Sequence, residues 1–212
     1  MLQVITVPVT VFAQNARILF DSESKDAVLI DPGGDVDSLI SELEGHSLLL
    51  RAIWLTHSHL DHCAGVAPLL RRFQVPLFGH PDETLMRAQT ERIAAMYGLP
   101  TDEWPNCPEP TTLLRGGESV TVGSHQAEVL FVPGHSPGHI AFHFPQSKLL
   151  LSGDCLFQGS IGRTDLPGGD HRQLIASIRD SILVLPDETR VLSGHGPDTT
   201  VGFERETNPF LS

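Results

Sequence analysis

Cysteine is scarce in this chain, and cations are outnumbered. Three cysteines, Cys63, Cys107 and Cys155, stand among 212 residues, none in a Cys-x-x-Cys pair. That argues against a disulfide scaffold and fits a reducing compartment. Lys and Arg total 14 against 26 Asp and Glu, a formal net charge of −12. Such a balance argues against nucleic acid or an anionic membrane as partner, since both demand clustered cations. No apolar run approaches the length of a membrane span. The start, Met1-Leu2-Gln3-Val4-Ile5, lacks the basic and long apolar parts of a signal peptide. No low-complexity run appears. The expectation is a cytoplasmic globular protein, large enough to bury most of its surface without staples.

Against that plain background one stretch stands out. Thr56-His57-Ser58-His59-Leu60-Asp61-His62 places three imidazoles and one carboxylate within six residues. The apolar run Ala52-Ile53-Trp54-Leu55 precedes it and reads as a buried strand. Val66, Leu69, Leu70 and Phe73 follow at helical spacing. His57 and His59 lie two apart, so an extended backbone points them to one side. Asp61 and His62 come at a helix start, where the direction changes. One loop can thus present two ligand pairs to two neighbouring points, as a dinuclear metal site requires. A single histidine would be read as surface decoration; this density behind a buried strand is not.

Three further segments repeat the grammar of strand, glycine and ligand. Val129 to Pro133 leads into Gly134-His135-Ser136-Pro137-Gly138-His139, Leu149 to Gly153 into Asp154, and Val191 to Gly194 into His195. Glycine lets the backbone turn sharply and approach a small site, and loops at strand ends are the usual carriers of functional side chains. Imidazole and carboxylate suit zinc, iron or manganese alike. Cys63 and Cys155, beside His62 and Asp154, read as small buried residues. The candidate ligands run from His57 to His195, so one domain over 1–212 is expected.

The string His-x-His-x-Asp-His, with a distant His, Asp and final His, resembles the metallo-β-lactamase superfamily across nearly the whole chain. Asp31-Pro32-Gly33-Gly34, Pro133 to His139, Gly162-Arg163-Thr164-Asp165 and Asn208-Pro209-Phe210 resemble its glyoxalase II-like branch, nearest the short bacterial YcbL-type hydrolases. The resemblance implies an α/β fold, the αβ/βα sandwich of two mixed sheets with helices outside. It implies two divalent metal ions, zinc before iron or manganese: one on His57, His59 and His135, the other on Asp61, His62 and His195, with Asp154 bridging. It implies hydrolysis of a thioester such as S-lactoylglutathione by a metal-bridging hydroxide, with Asp61 and Asp154 as the catalytic carboxylates. A metal lowers the pKa of its water to about 7, and a thiol with a pKa near 8.5 leaves without a strong general acid. The larger glyoxalase II enzymes look as if they carry an extra C-terminal helical segment with cations that grip glutathione. Here residues 201–212 offer only Arg205, so the metal chemistry carries over and the glutathione site does not. The first rival is a mono-iron persulfide dioxygenase on His57, His135 and Asp154, against which Ser193-Gly194-His195-Gly196-Pro197 looks more like the hydrolase ending. A phosphodiesterase conflicts with the negative charge, and a non-catalytic metal module with so full a ligand set. The oligomeric state is left open.

Strands are expected at Val4–Val11, Ala16–Phe20, Ala27–Ile30, Ser119–Val122 and Glu128–Val132, with Ile140, Phe142 and Phe144 alternating on a half-buried one. Asp31 to Gly34 reads as a turn. Asp35 or Asp37 caps a helix through Leu39, Ile40 and Leu43 that Gly45 ends. Asp82 caps another through Met86, Ile93, Met96 and Tyr97, whose apolar side chains read first as core and second as a pocket wall. Residues 101–112 form a Pro-rich loop, and 159–169 a glycine-rich one. Asp170 and Gln173 resemble a capping box. His139 reads as a hydrogen-bonded structural residue, and His46, His80, His125, His143 and His171 as surface or ordinary core. Arg163 and Asp165 read either as a salt bridge that stiffens their loop or as support for the metals, two readings that are compatible.

Overall fold

The computed structural model describes residues 1–211, which form two compact units. One comprises Met1–Leu113 with Thr121–His125, the other the remaining described residues. Among the described residues no helix is long and apolar enough to cross a membrane.

The first unit is built on a mixed sheet in plain sequence order. Strands β1 (Leu2–Val9), β2 (Gln14–Asp21) and β3 (Asp26–Ile30) run antiparallel in turn, and β4 (Leu49–Trp54), β5 (Leu77–Gly79) and β6 (Thr112–Leu113) continue in parallel. The parallel steps need crossovers. Helix α1 (Val36–Gly45) makes the first; α2 (Leu60–Cys63) and α3 (Val66–Arg72) make the second. The apolar stripe Leu39, Leu43, Val66 and Leu69 packs against Ile18, Leu29, Ile53 and Leu77 in one core. The sheet's edge strand β1 alternates between covered and exposed residues, whereas β2 is buried throughout.

Asp35 precedes α1 but does not cap it with its side chain: it sits at φ 45°, and its carboxylate accepts instead from the Thr10 amide at 2.6 Å. The helix expected from Asp82 to Tyr97 is a 3₁₀ turn (Pro81–Glu83) followed by two short helices, α4 (Thr84–Arg87) and α5 (Thr90–Met96). The break has a tertiary cause. The Arg87 carbonyl accepts from the Cys107 amide at 3.1 Å and the Thr90 hydroxyl at 3.2 Å, while the Glu91 amide turns to Asn106 Oδ1 at 3.0 Å. Nor is Asp82 the cap: its own amide donates to His80 Nδ1. Met96 and Tyr97, read first as core, are 75% and 57% exposed. Helix α5 instead packs Ala94 and Ile93 against Leu60 and Ala64, with Trp104 and Phe12 closing the small cluster.

The second sheet is ordered β14 (Thr199–Thr200), β13 (Arg190–Ser193), β10 (Leu149–Gly153), β9 (Ile140–Phe144), β8 (His125–Phe131) and β7 (Ser119–Val122), and all of it but Thr121, Val122 and His125 belongs to the second unit. Strands β10 and β13 are parallel; β9 is antiparallel to both β10 and β8. A small hairpin, β11 (Leu156–Phe157) and β12 (Ser160–Ile161), follows β10. Helix α6 (His171–Ser177), the π-turn Ile178–Ile182 and helix α7 (Val201–Thr207) present Leu174, Ile178, Ile182 and Val201 to Ala141, Leu150 and Val191. The capping box forms, with Asp170 Oδ1 accepting the Gln173 amide at 3.0 Å. Strand β9 is not half-buried: all five residues are covered, including His143, whose pKa burial pushes down.

Asp21, at the end of β2, yields a prediction. Its carboxylate accepts from the Glu23 amide at 3.0 Å and from the Ser124 amide and hydroxyl at 3.2 and 2.9 Å. These bonds hold its pKa well below the usual carboxylate range, the Glu23 amide contributing most. A lowered folded-state pKa stabilises above the unfolded value, near 3.9, and that contribution fades as pH falls toward the folded value. Asp21→Asn is therefore expected to flatten the loss of thermal stability below about pH 4 relative to the parent. Superimposable acid limbs in paired melting curves would refute it.

Candidate metal centre

In the first unit the ligand loop leaves β4 and is anchored at once. The Thr56 amide and hydroxyl donate to the two oxygens of Asp31 at 2.7 and 2.6 Å. His59 has extended backbone (φ −64°, ψ 153°) and stands at the N-terminus of α2, so Asp61 and His62 fall in its first turn. His57 Nε2 and His59 Nδ1 face each other at 3.1 Å, with the rings nearly perpendicular. Two nitrogens about 2.0–2.1 Å from one tetrahedral ion stand roughly 3.3 Å apart, so this pair fits a shared metal. Asp61 Oδ2 lies 3.9 Å from His62 Nε2. His62 is fully buried, and its Nδ1 is 3.1 Å from Asp31 Oδ2. A carboxylate on one ring nitrogen fixes the tautomer and leaves the other nitrogen for a metal. Asp31, His57 and His62 also converge as a trio of potential ligands. With its oxygens engaged by Thr56 and His62, Asp31 serves as the orienting member.

Asp31 to Gly34 is thus more than a turn. Asp31 is held at φ 51°, a costly conformation for a residue other than glycine. Its neighbour Gly33 passes so close to the ligand loop that a Cβ there would lie 1.6 Å from the Asp61 carbonyl oxygen. The Gly65 amide donates to the Pro32 carbonyl at 2.8 Å. The turn is the seat on which Asp61 and His62 rest.

In the second unit, Gly134 turns at φ 129° against the start of α6, where a side chain would strike the Leu174 backbone. His135 follows. Its Nδ1 donates to the Arg163 carbonyl at 2.7 Å, which again leaves Nε2 for a metal. Gly153 ends β10 at φ 51°, and the Gly194 amide donates to its carbonyl at 2.8 Å, so Asp154 and His195 emerge side by side. One oxygen, Asp154 Oδ2, lies 3.8 Å from His135 Nε2 and 3.6 Å from His195 Nε2. The Asp154 amide donates to Nε2 of fully buried His139 at 3.1 Å, so His139 holds the aspartate's backbone. Arg163 grips Asp165 bidentately at 2.8 and 2.7 Å and draws its pKa down to about 2, fixing the loop whose carbonyl orients His135.

A model of the metallo-β-lactamase superfamily matches residues 9–195. The chain belongs to the metallo-β-lactamase superfamily. Among its relatives is "Hydroxyacylglutathione hydrolase GloC" of Haemophilus influenzae, 41% identical over 214 residues that cover 97% of this chain and 96% of that protein. Two solved structures are similar over almost their full length. BLEG-1, a B3 metallo-β-lactamase, superposes with a TM-score of 0.91 at 39% identity, covering 99% of this chain and 100% of that one. TTHA1623 in a di-iron-bound form gives 0.88 at 40% identity, covering 98% and 100%.

The metallo-β-lactamase-like α/β fold expected from the sequence is therefore borne out: two six-stranded mixed sheets with helices packed on them. The chain is a metallohydrolase of this superfamily and carries groups of His and Asp that could hold metal ions. The first unit gathers His57, His59, Asp61 and His62; the second gathers His135, Asp154 and His195. Sequence reading missed the part played by Asp31. The signal was present: Ala27 to Ile30 followed by Asp31 repeats the strand-then-carboxylate order of Leu149 to Asp154.

Proposed function

We propose that the chain is a dinuclear thioester hydrolase. In this reading His57, His59 and His135 would hold one divalent ion, Asp61, His62 and His195 would hold the other, and Asp154 would be shared between the two sets. The observation that carries it is the single Asp154 oxygen placed against both His135 Nε2 and His195 Nε2. The paired nitrogens of His57 and His59 and the oriented tautomers of His62 and His135 support it. When bound, two such ions would supply an acidified water near neutral pH and positive charge for a substrate carbonyl oxygen. Everything else is the work of side chains. Asp154 shares its carboxylate, His139 fixes the backbone from which it projects, and Asp61 orients the attacking water. A thiolate leaves unaided, so these residues need supply no further acid. Zinc suits the donors, as do iron and manganese. The name borne by the Haemophilus influenzae relative supports a hydroxyacylglutathione as substrate, taken as a small molecule in the cytoplasm without nucleic acid or membrane.

Two measurements test this. Elemental analysis of protein purified without added metal is expected to return two ions per chain. Thiol release from S-lactoylglutathione and a panel of other acyl-thioesters is expected to exceed hydrolysis of β-lactams and phosphodiesters. A single ferrous ion with oxygen uptake on a persulfide would replace the proposal with the dioxygenase reading. β-Lactam turnover without thioester turnover would move the substrate while keeping the centre.

A further inference from the structure

A buried charged network lies behind the ligand loop, and no step of the proposed chemistry uses it. Glu83, closing the 3₁₀ turn, and Arg87, closing α4, are both fully buried. Their common target is Ser58, the residue between His57 and His59. Glu83 Oε2 accepts the Ser58 amide at 2.8 Å, and Arg87 Nη1 donates to the Ser58 hydroxyl at 3.3 Å. Arg87 is fixed in turn by the His80 carbonyl at 3.1 Å, the Thr84 hydroxyl at 3.2 Å and Glu109 Oε2 at 2.7 Å. Its own carbonyl receives the Cys107 amide.

Burying a carboxylate and a guanidinium costs more than an apolar pair of similar size would, so stability alone is a poor reason for them. What they fix is one peptide plane. The amide joining His57 to Ser58 lies in a loop without a sheet partner, and a buried amide needs an acceptor. A carboxylate there makes a short, charge-assisted bond. Rotating that plane would swing the His57 and His59 rings apart, and their nitrogens now face each other at 3.1 Å.

We propose that Glu83 and Arg87 are positioning residues for the metal, setting the spacing of the His57 and His59 nitrogens through Ser58. The inference rests on the reading of those two histidines as ligands to one ion. Helix α4 and its 3₁₀ turn are then the rear support of the centre, tied by Glu109 and Cys107 to the loop 101–112.

The test measures metal affinity by competition with a chromophoric chelator, together with the visible spectrum of the Co²⁺-loaded protein, in the parent and in Glu83→Ala, Glu83→Gln and Ser58→Ala. Glu83→Ala is expected to bind Zn²⁺ on the order of 10–100-fold more weakly, the usual cost of losing a group that orients a ligand. Its Co²⁺ bands are expected to shift. Glu83→Gln keeps an acceptor for the Ser58 amide and is expected to stay within about fivefold of the parent. Folded Glu83→Ala protein with parental affinity and an unchanged Co²⁺ spectrum overturns the proposal. If Glu83→Ala does not fold, Ser58→Ala decides: it removes only the hydroxyl bonded to Arg87, and weaker binding with shifted bands supports the proposal, whereas parental values overturn it. A parent that binds no metal would instead sink the ligand assignment itself.

Discussion

Asp154→Ala protein is expected to retain fewer than two metal ions per chain and to lose on the order of 10³-fold in kcat/KM for thioesters. Removing one preorganised electrostatic group from a site that stabilises an oxyanion already costs about 10²–10³-fold. In the proposed centre Asp154 would serve two ions, because a single oxygen faces both His135 Nε2 and His195 Nε2. The loss should not come from unfolding. Without metal, the buried carboxylate brings a desolvation cost that alanine does not, so the metal-free variant is expected to melt within a few degrees of the metal-free parent. Elemental analysis and thiol release measure the first effect, and paired melting curves the second. A variant that keeps two ions and parental activity would remove Asp154 from the centre.

The proposed ligands follow local sequence patterns: His57 and His59 leave strand β4, Asp61 and His62 open helix α2, and His135, Asp154 and His195 follow strand ends. The strand before His57 and the Gly before His135, Asp154 and His195 are local features, and the structure places those side chains where such features put them. What escaped notice depends on partners distant in the chain. Asp31 looked like a turn residue because Pro and Gly follow it, yet its oxygens serve Thr56 and His62, 25 and 31 residues away. The broken helix at Arg87 could not be foreseen, since the group that stops it, the Cys107 amide, arrives from the Pro-rich loop. Glu83 sits in Pro81-Asp82-Glu83-Thr84, a string that reads as solvent-facing, and its burial follows from a bond to Ser58. Strand β9 misled for the opposite reason. His143 suggested an exposed face, whereas the strand lies between two antiparallel neighbours and is covered throughout.

Gly162→Ala carries the second large effect, and it joins fold to site. A Cβ at this position would stand 1.9 Å from the Asp154 carbonyl oxygen and 3.0 Å from His135 Nδ1. The first obstacle is backbone, which cannot swing aside as a side-chain tip would. The Gly162 amide, just past β12, also donates to the Cys155 carbonyl at 3.3 Å, so Gly162 is bound to the segment it would have to escape. Relief requires moving Asp154, His135 or both. The expected destabilisation is about 3 kcal/mol, the upper range for overpacking. In a chain of this size that lowers Tm by roughly 6–12 °C. The metal-loaded protein should suffer more than the metal-free one, because the displaced atoms bear the ligands. Gly45→Ala is the matched control: it lies in α1, nothing stands within 4 Å of its would-be side chain, and its φ is not positive. There alanine is expected to stabilise by about 0.4–1 kcal/mol through the unfolded chain. If Gly162→Ala melts with the parent and holds its full metal complement, the close approach of residue 162 to Asp154 and His135 is not part of the working centre.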